Sequence, residues 1–470
     1  MPTFLQWFTS QGTRRRMGFS LELYALVGVA VATFYFLLPS PLAPVVWRDP
    51  SPLLKFEGPL TANAGLANAV LVAGNFSGPE STAFDADTGY AYVSLSDGTV
   101  GTFSANGTFL GHAFFTGGYL AYQQNGLVDR SILLRKWCNT EAMEGRLAWS
   151  VAAERKCGRP LGLRVRQEGR TKYLYIMDAY HGLFKLNLAD SSVQHLVTPE
   201  SAIKTPKGSD AAASKPAKFF NDLDVTADGR VLFTDSSYKH TRSENRQEVL
   251  DGAPRGRLLQ FDPAPGQGLK TLVCGLHFPN GVQLLSQREV LVVELGRFRV
   301  LKVHLERVGE GALASCGERG TLAQALGEEA DTRYGHWGID YFSKNIPGLG
   351  DNVRLDAGAG AGGNHYLVGC GSKSAQPFSL LWLAYQHGWL RDALGKLLPM
   401  QLVEKLVPKY GLVLVLDQAG KTVASLHDAT GRVALLSQAQ RHPVTGDLWL
   451  GSHSESLAIL HAEHVPRTWA

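Results

Sequence analysis

Six times along the chain an apolar run ends in a small or acidic residue, and a second run with a short polar tail follows. The runs are AYVSLSDG from Ala91, YLYIMDAYHG from Tyr173, VLFTDSSY from Val231, VLVVELGRF from Val290, YLVGCGS from Tyr366 and LWLGSHSE from Leu448. Counted from Tyr90, Tyr173, Val231, Val290, Tyr366 and Leu448, their spacings are 83, 58, 59, 76 and 82 residues. A short meander cannot bury both of its faces alone, so a loosely periodic array of them predicts an all-β, six-bladed β-propeller. The unequal spacings predict insertions between strands, and the chemistry is expected at one end of the central channel.

Two segments have a different texture. Between Phe378 and Pro408 apolar residues recur at helical spacing, as in Trp389, Leu390, Ala393, Leu394, Leu397 and Leu398, which predicts a helical insertion in the fifth blade. It can cap the propeller mouth or rest on a membrane surface. The stretches 198–216 and 306–335 read as exposed loops. At the N-terminus, Met17 to Leu38 is 22 residues long and carries no charge after Glu22, enough to cross a bilayer, which takes about 20 apolar residues. The run is longer than a signal-peptide core, and Arg14, Arg15 and Arg16 precede it. The reading is a cytoplasmic tail (1–16), a transmembrane signal anchor (17–38), a Pro- and Ala-rich stalk (39–70) and a propeller (71–470). By the positive-inside rule this is a single-pass type II protein, its propeller in the endoplasmic reticulum lumen or outside the cell.

The sequons at Asn75 and Asn106 suit that compartment. The five cysteines contain no C-x-x-C pair. A disulfide between Cys138 and Cys157 would close a 20-residue loop; free buried thiols are the alternative. Cys274 and Cys370 read as strand thiols, and Cys316 lies in a Gly-rich insertion. With 44% hydrophobic and 19% charged residues the composition is that of a globular protein. The net charge of +4 is mild and forms no basic stripe with interleaved aromatics, so nucleic acid is not an expected partner.

Four turn-like motifs place an oxygen-bearing side chain beside Gly or Pro ahead of a blade's inner strands. They are Gly78-Pro79-Glu80, Phe219-Phe220-Asn221-Asp222, Phe278-Pro279-Asn280-Gly281 and Pro347-Gly348-Leu349-Gly350-Asp351-Asn352. Carboxylates and carboxamides converging on the channel would make an all-oxygen site, the ligand set of Ca²⁺. Each motif alone is an ordinary turn former; four in register with separate blades are not.

These motifs, with CGRPLGL (157–163), MDAYHGL (177–183), FNDLDVTADGRVLFTDSS (220–237), LVVELGRFRV (291–300) and IPGLGDNVR (346–354), resemble the strictosidine synthase-like family. The resemblance covers nearly the whole chain. It implies a six-bladed propeller related more distantly to paraoxonases and diisopropyl-fluorophosphatase, in which Glu, Asn, Asn and Asp hold a catalytic Ca²⁺. Carried over motif by motif, those ligands are Glu80, Asn221, Asn280 and Asp351, with Asn352 as a fifth, and the family pattern supports pairing Cys138 with Cys157. Two positions bear on mechanism. Paraoxonases carry a His where this chain has Leu161, which cannot move a proton. Strictosidine synthase uses a Glu at the position of Glu294 as an acid/base, which makes Glu294 a candidate catalytic residue. His181 could also face the mouth, although a His beside Tyr180 is more often packed.

The leading expectation is therefore a membrane-anchored, Ca²⁺-dependent hydrolase of arylesterase type, taking a small-molecule ester or lipid-like ligand at the propeller mouth. Two alternatives are a non-catalytic membrane-tethered binding module for a lipid-like ligand or protein, and a condensing enzyme using Glu294.

Overall fold

The computed structural model describes residues 23–30, 33, 37, 39–45, 51–74, 76–125, 151–205, 211–308, 338–357, 363–466 and 469. Six antiparallel sheets follow one another in chain order. Blade 1 holds the strands Thr82–Asp85, Tyr90–Ser94, Thr99–Phe103 and Phe109–Phe115. Blade 2 holds Pro160–Glu168, Thr171–Asp178, Gly182–Asn187 and Val193–Val197, and blade 3 holds Phe220–Val225, Val231–Asp235, Gly256–Asp262 and Gly268–Leu276. Blades 4 and 5 start at Pro279–Leu284 and Gly348–Asp356 and end at Ile339–Ser343 and Thr422–Asp428. Blade 6 takes Leu436–Arg441, Leu448–Ser452 and Ala458–Leu460 from the C-terminal end. Its outer strand is Val70–Leu71, which pairs antiparallel with Ile459 and Ala458. The chain thus closes its own ring and leaves no open sheet edge between first and last blades.

Each apolar run that marks the repeat is the second strand of a blade. These strands are packed on both faces by neighbouring blades, so they read as continuous apolar runs rather than alternating ones. The core lies between blades: Leu232 and Leu258 of blade 3 pack with Val282, Val292 and Leu301 of blade 4. Close approach of the inner strands depends on glycine at particular points. A Cβ on Gly281 would sit 2.6–2.7 Å from the backbone of Asp351 to Val353, and one on Gly451 would sit 2.7 Å from the Pro79 carbonyl.

The segment 378–408 carries three helices, Leu380–Gln386, Gly388–Leu397 and Met400–Lys405, between the second and third strands of blade 5. The stretch expected as a free loop at 198–216 is partly ordered instead. Ile203–Lys204 runs parallel to Leu269–Lys270 as a fifth strand of blade 3, because Ile203 is buried in that blade's core. The buried Arg257 holds the following turn through the carbonyls of Ala212, Ala213 and Lys215. Most of the 306–335 stretch lies outside the described residues.

Residues 23–30 are helical, and no helix among the described residues is long and apolar enough to cross a membrane. The remainder of 17–38, apart from Thr33 and Leu37, is outside the described residues, as are Asn75, Cys138 and Cys316. Cys157 is disulfide-bonded. So is Cys274, a correction to its reading as a strand thiol, while Cys370 is free and buried. Asn106 is exposed in the turn between the third and fourth strands of blade 1.

Trp449, fully buried in blade 6, meets Phe84 and Phe103 of blade 1 edge-on at 5.6 and 6.4 Å between ring centroids. Replacing it with Ala opens a cavity at the junction of first and last blades. The expected cost is about 3–5 kcal/mol, measured as a lower denaturant midpoint; an unchanged midpoint would show that this junction does not limit stability.

Candidate active site

In each blade the innermost strand begins where the second strand ends. Pro160 pairs with Asp178, Phe220 with Asp235, Pro279 with Glu294 and Leu436 with Ser452. The residues that terminate the apolar runs therefore gather at one end of the channel, and they meet two fates.

The acidic run-ends are engaged by their own blades. Asp178 accepts the amides of Tyr180 and His181 at 3.0 and 3.1 Å. Asp235 accepts the Phe219 amide at 3.0 Å and the Arg257 guanidinium. Glu294 is fully buried; one of its oxygens accepts the His277 amide at 2.7 Å and the other accepts Arg299 Nε. Both Glu294 oxygens thus hold hydrogen bonds to its own surroundings.

Other oxygens are left over, besides Asp178 Oδ2, whose residue is held through Oδ1 alone. Five of these, Glu80 Oε2, Asn221 Oδ1, Asn280 Oδ1, Asp351 Oδ1 and Asn352 Oδ1, are all buried and have no hydrogen-bond partner among the described residues. Their residues are at most 7% exposed. They come from blade 3, blade 4, blade 5 and the entry to blade 1. Neighbouring bonds fix how they face. Asn352 Nδ2 donates to Glu80 Oε1 at 2.9 Å, and Asn221 Nδ2 donates to Ser236 Oγ at 2.9 Å. Ser236 Oγ donates in turn to the Pro279 carbonyl at 2.7 Å, and Thr234 Oγ1 to the Asn280 carbonyl at 2.6 Å. Asn280 also hydrogen-bonds the Asp351 carboxyl. The amide donors are spent on the protein, and acceptor oxygens are what remain.

A lone buried acceptor without a partner is costly. Five together, two carboxylates and three carboxamides, are the donor chemistry of a hard cation. Among the described residues there is no cluster of three or more His, Cys, Asp or Glu of metal-binding type; here neutral Asn supplies most of the donors. Burial, and then the Asp222 charge, pushes the Glu80 carboxyl up to about 7. Burial, then Glu80 and Asp222, holds Asp351 well above the usual carboxylate range. Burial and mutual repulsion outweigh the nearby Arg159 and Arg354 guanidiniums, so the two carboxyls cannot both ionise readily.

Beneath the donors lies a polar floor that motif reading did not single out. Arg354 of blade 5 clamps Asp222 of blade 3 with both guanidinium nitrogens, at 2.7 and 3.0 Å. Arg354 also donates to Gln438 Oε1 of blade 6 at 3.0 Å and to Ser81 Oγ at 3.1 Å. Asp222 in turn accepts Arg164 of blade 2 at 3.5 Å and the Val282 amide of blade 4 at 2.8 Å. Above the donors, Leu161, Ala179, Phe219, Phe278 and Leu295 form an apolar layer, flanked by Tyr180, Val249 and Leu349. Phe278 stands edge-on to Phe219 at 5.5 Å. Its φ of 49° is a left-handed conformation uncommon for an aromatic residue, two positions before Asn280.

His181 is not one of the convergent donors. Two further residues near this end escaped sequence reasoning. Arg159 is fully buried; among the described residues it donates to the carbonyls of Pro160 and His453, at 3.3 and 3.4 Å. Burial, then Arg242, Arg246 and Arg159, pushes the His453 imidazole down to about 3, so it is neutral at physiological pH. His453 directly follows Ser452, which ends the sixth repeat's apolar run, and that place is the one signal that could have singled it out.

A six-bladed propeller with an all-oxygen donor set at one channel end is the class that fold and site define. Family models described as strictosidine synthase and strictosidine synthase-like, N-terminal, match residues 221–307 and 58–103. The adipocyte plasma membrane-associated protein of Rattus norvegicus is 35% identical over 303 residues, 64% of this chain and 68% of that protein. The Gallus gallus protein of the same name is 35% identical over 66% of this chain, and the match spans 65% of the relative's length. Strictosidine synthase-like 13 of Arabidopsis thaliana is 29% identical over 76% of this chain and 74% of its own. The chain belongs to the strictosidine synthase-like family, in the group of the adipocyte plasma membrane-associated proteins. Among solved structures, a putative gluconolactonase aligns with a TM-score of 0.45 at 13% identity, covering 84% of this chain and 92% of its own. A Xanthomonas campestris gluconolactonase aligns at 0.44 and 14%, covering 90% and 99%.

Two outcomes follow from the geometry. Arg354→Met leaves Asp222 buried without its main counter-charge and is expected to destabilise the protein by about 3–5 kcal/mol. Adding Asp222→Asn should recover part of that loss in denaturant unfolding; equal midpoints for single and double variants would contradict the coupling. The second concerns pH. Without a cation, Glu80 holds its proton more tightly folded than unfolded, so its contribution is full below pH 4.5 and lost as pH rises through about 7. The melting temperature of chelator-treated protein should therefore fall between pH 5 and 8, and Ca²⁺ should raise it most above pH 7. A flat profile with no Ca²⁺ response would remove the case for an ion site.

Proposed function

We propose that this protein is a membrane-anchored, Ca²⁺-dependent hydrolase of arylesterase type acting on small esters at the propeller mouth. The observation that carries the reading is the set of five buried, partnerless oxygens on Glu80, Asn221, Asn280, Asp351 and Asn352. These residues would hold the ion. When bound, Ca²⁺ supplies a Lewis acid for a carbonyl oxygen. The chain's own contribution is positional. The Asp222–Arg354 floor keeps the donors from collapsing into the channel, and the apolar layer around Phe219 and Phe278 excludes water. With Leu161 in that layer and His453 a weak base, the proton-accepting groups nearest the site are the carboxyls of Glu80 and Asp351. The condensing alternative loses support because both Glu294 oxygens are engaged. The binding-module alternative keeps one favourable observation: the apolar layer is itself buried, as in a site closed over a retained ligand.

Membrane anchorage rests on the apolar run 17–38, on the exposed apolar side chains described within it, such as Leu23, Val29 and Leu37, and on the name plasma membrane-associated carried by the relatives. The exposed Asn106 sequon fits a propeller on the lumenal or extracellular side.

Phenyl acetate hydrolysis by the full chain in detergent, with Ca²⁺ and after chelation, is the decisive test. Chelation and the Asn221→Ala/Asn280→Ala variant should each lower turnover by about 10²-fold or more, the range seen when one oxyanion-stabilising group is removed. Undiminished turnover in both would sink the proposal. If wild type and variant are equally inactive while Ca²⁺ raises the melting temperature of wild type alone, the ion is structural and the protein is a binding module.

A further inference from the structure

The described residues expose eighteen large apolar side chains, and they are not scattered. Six lie between residues 23 and 37. Six more lie on the blade 5 insertion: Phe378 and Trp389, each 65% exposed, with Leu397, Leu402, Leu406 and Val407. A cap that faced only water would have no reason to concentrate them.

The two groups are tied together. Leu42, five residues beyond Leu37, is buried against Leu250 and Val403. It lies so close to the second cap helix that a Cβ on Gly395 would come within 2.6 Å of it. The Ala43 amide donates to Asp251 Oδ1 at 2.7 Å and the Val45 amide to the Asp251 carbonyl at 2.8 Å. Arg391 of the same cap helix, fully buried, donates to the carbonyls of Val45, Leu250 and Asp251 at 2.5, 2.8 and 3.0 Å. Farther along, Trp382 Nε1 donates to the Ser51 carbonyl at 2.9 Å. The segment that reads as a loose stalk is therefore strapped onto the cap. Five residues span at most about 18 Å, so the cap cannot stand far from wherever Leu37 lies.

The helix Asn245–Asp251 links this surface to the site. Leu250 and Asp251 hold the strap, while the preceding Val249 packs on the apolar layer over the donors. The cap and the mouth thus share one side of the propeller. Of the four basic residues at 378–409, Arg391 is buried and Lys396 pairs with Asp392, while Lys405 and Lys409 are exposed on the same insertion as Trp389, a mix found at membrane interfaces.

We infer that the exposed face of the three cap helices lies in the interfacial layer of the bilayer that holds the N-terminal run, turning the propeller mouth toward lipid. The inference rests on the anchor reading above and not on hydrolysis. Trp389, Leu402 and Leu406 sit about 5–10 Å into the headgroup–acyl boundary, as interfacial helices do. A substrate carrying an acyl chain then reaches the mouth from the lipid rather than from bulk water.

The test uses the full chain reconstituted into phosphatidylcholine vesicles, plain or acyl-brominated, comparing wild type with Trp389→Phe. Trp389 is mostly exposed, so the substitution leaves the fold intact. Both proteins should float with the vesicles, and brominated lipid should quench wild type more than the variant, the difference being the Trp389 signal. Flotation with equal quenching of the two proteins overturns the inference alone, whether aqueous iodide reaches Trp389 or a second copy of the chain covers it. Failure to float overturns the anchor reading, and this inference with it.

Discussion

One buried ion pair, Asp222 with Arg354, ties the propeller together at its axis. Through these two side chains all six blades meet: Arg354 reaches Gln438 and Ser81, and Asp222 takes Arg164 and the Val282 amide. Two charges removed from water are tolerable only when each satisfies the other and the remaining valences are filled. Six blades contributing to one satisfied cluster leave little freedom for any innermost strand to slide or tilt. That rigidity is what allows five acceptor oxygens to remain without partners just beyond the pair, because the side chains cannot relax toward each other.

The same channel end shows how one residue type acquires different roles. Asp178, Asp235 and Glu294 all terminate apolar runs, and each accepts hydrogen bonds from backbone amides or arginines of its own blade. Glu80 and Asp351 lie on the other side of the turn, where innermost strands begin; each accepts a side-chain amide, Asn352 for Glu80 and Asn280 for Asp351, and keeps one oxygen without a partner among the described residues. The first group is held by hydrogen bonds near its own turns; the second keeps open acceptor oxygens. Neutral Asn221, Asn280 and Asn352 add acceptor oxygens without adding repulsion, so only two of the five residues are carboxylates, next to the apolar cluster of Phe219 and Phe278.

Architecture outside the ring serves the same end. The N-terminal strap, the cap helices and the helix Asn245–Asp251 form a continuous structure from Leu42 to Val249, so the position of the chain's N-terminal run and the roof of the site are mechanically connected.

The repeat was legible in the sequence because it is written in contiguous residues. An apolar run of five or six positions declares a strand locally, and the six second strands begin at or within two residues of Tyr90, Tyr173, Val231, Val290, Tyr366 and Leu448. The helical spacing at 378–408 is equally local. Glu80, Asn221, Asn280, Asp351 and Asn352 could be named from turn motifs and family resemblance, but those motifs do not state that the five oxygens lack partners. That was decided by tertiary structure, as were the engagement of Glu294, the parallel pairing of Ile203–Lys204 and the bonding of Cys274. The reason is separation along the chain. Asp222 and Arg354 stand 132 residues apart, and nothing in the local pattern around either specifies the other. Chain chemistry sets which residues are apolar, charged or amide-bearing; closure of the ring sets which of them meet, and therefore which are satisfied and which remain open to a ligand.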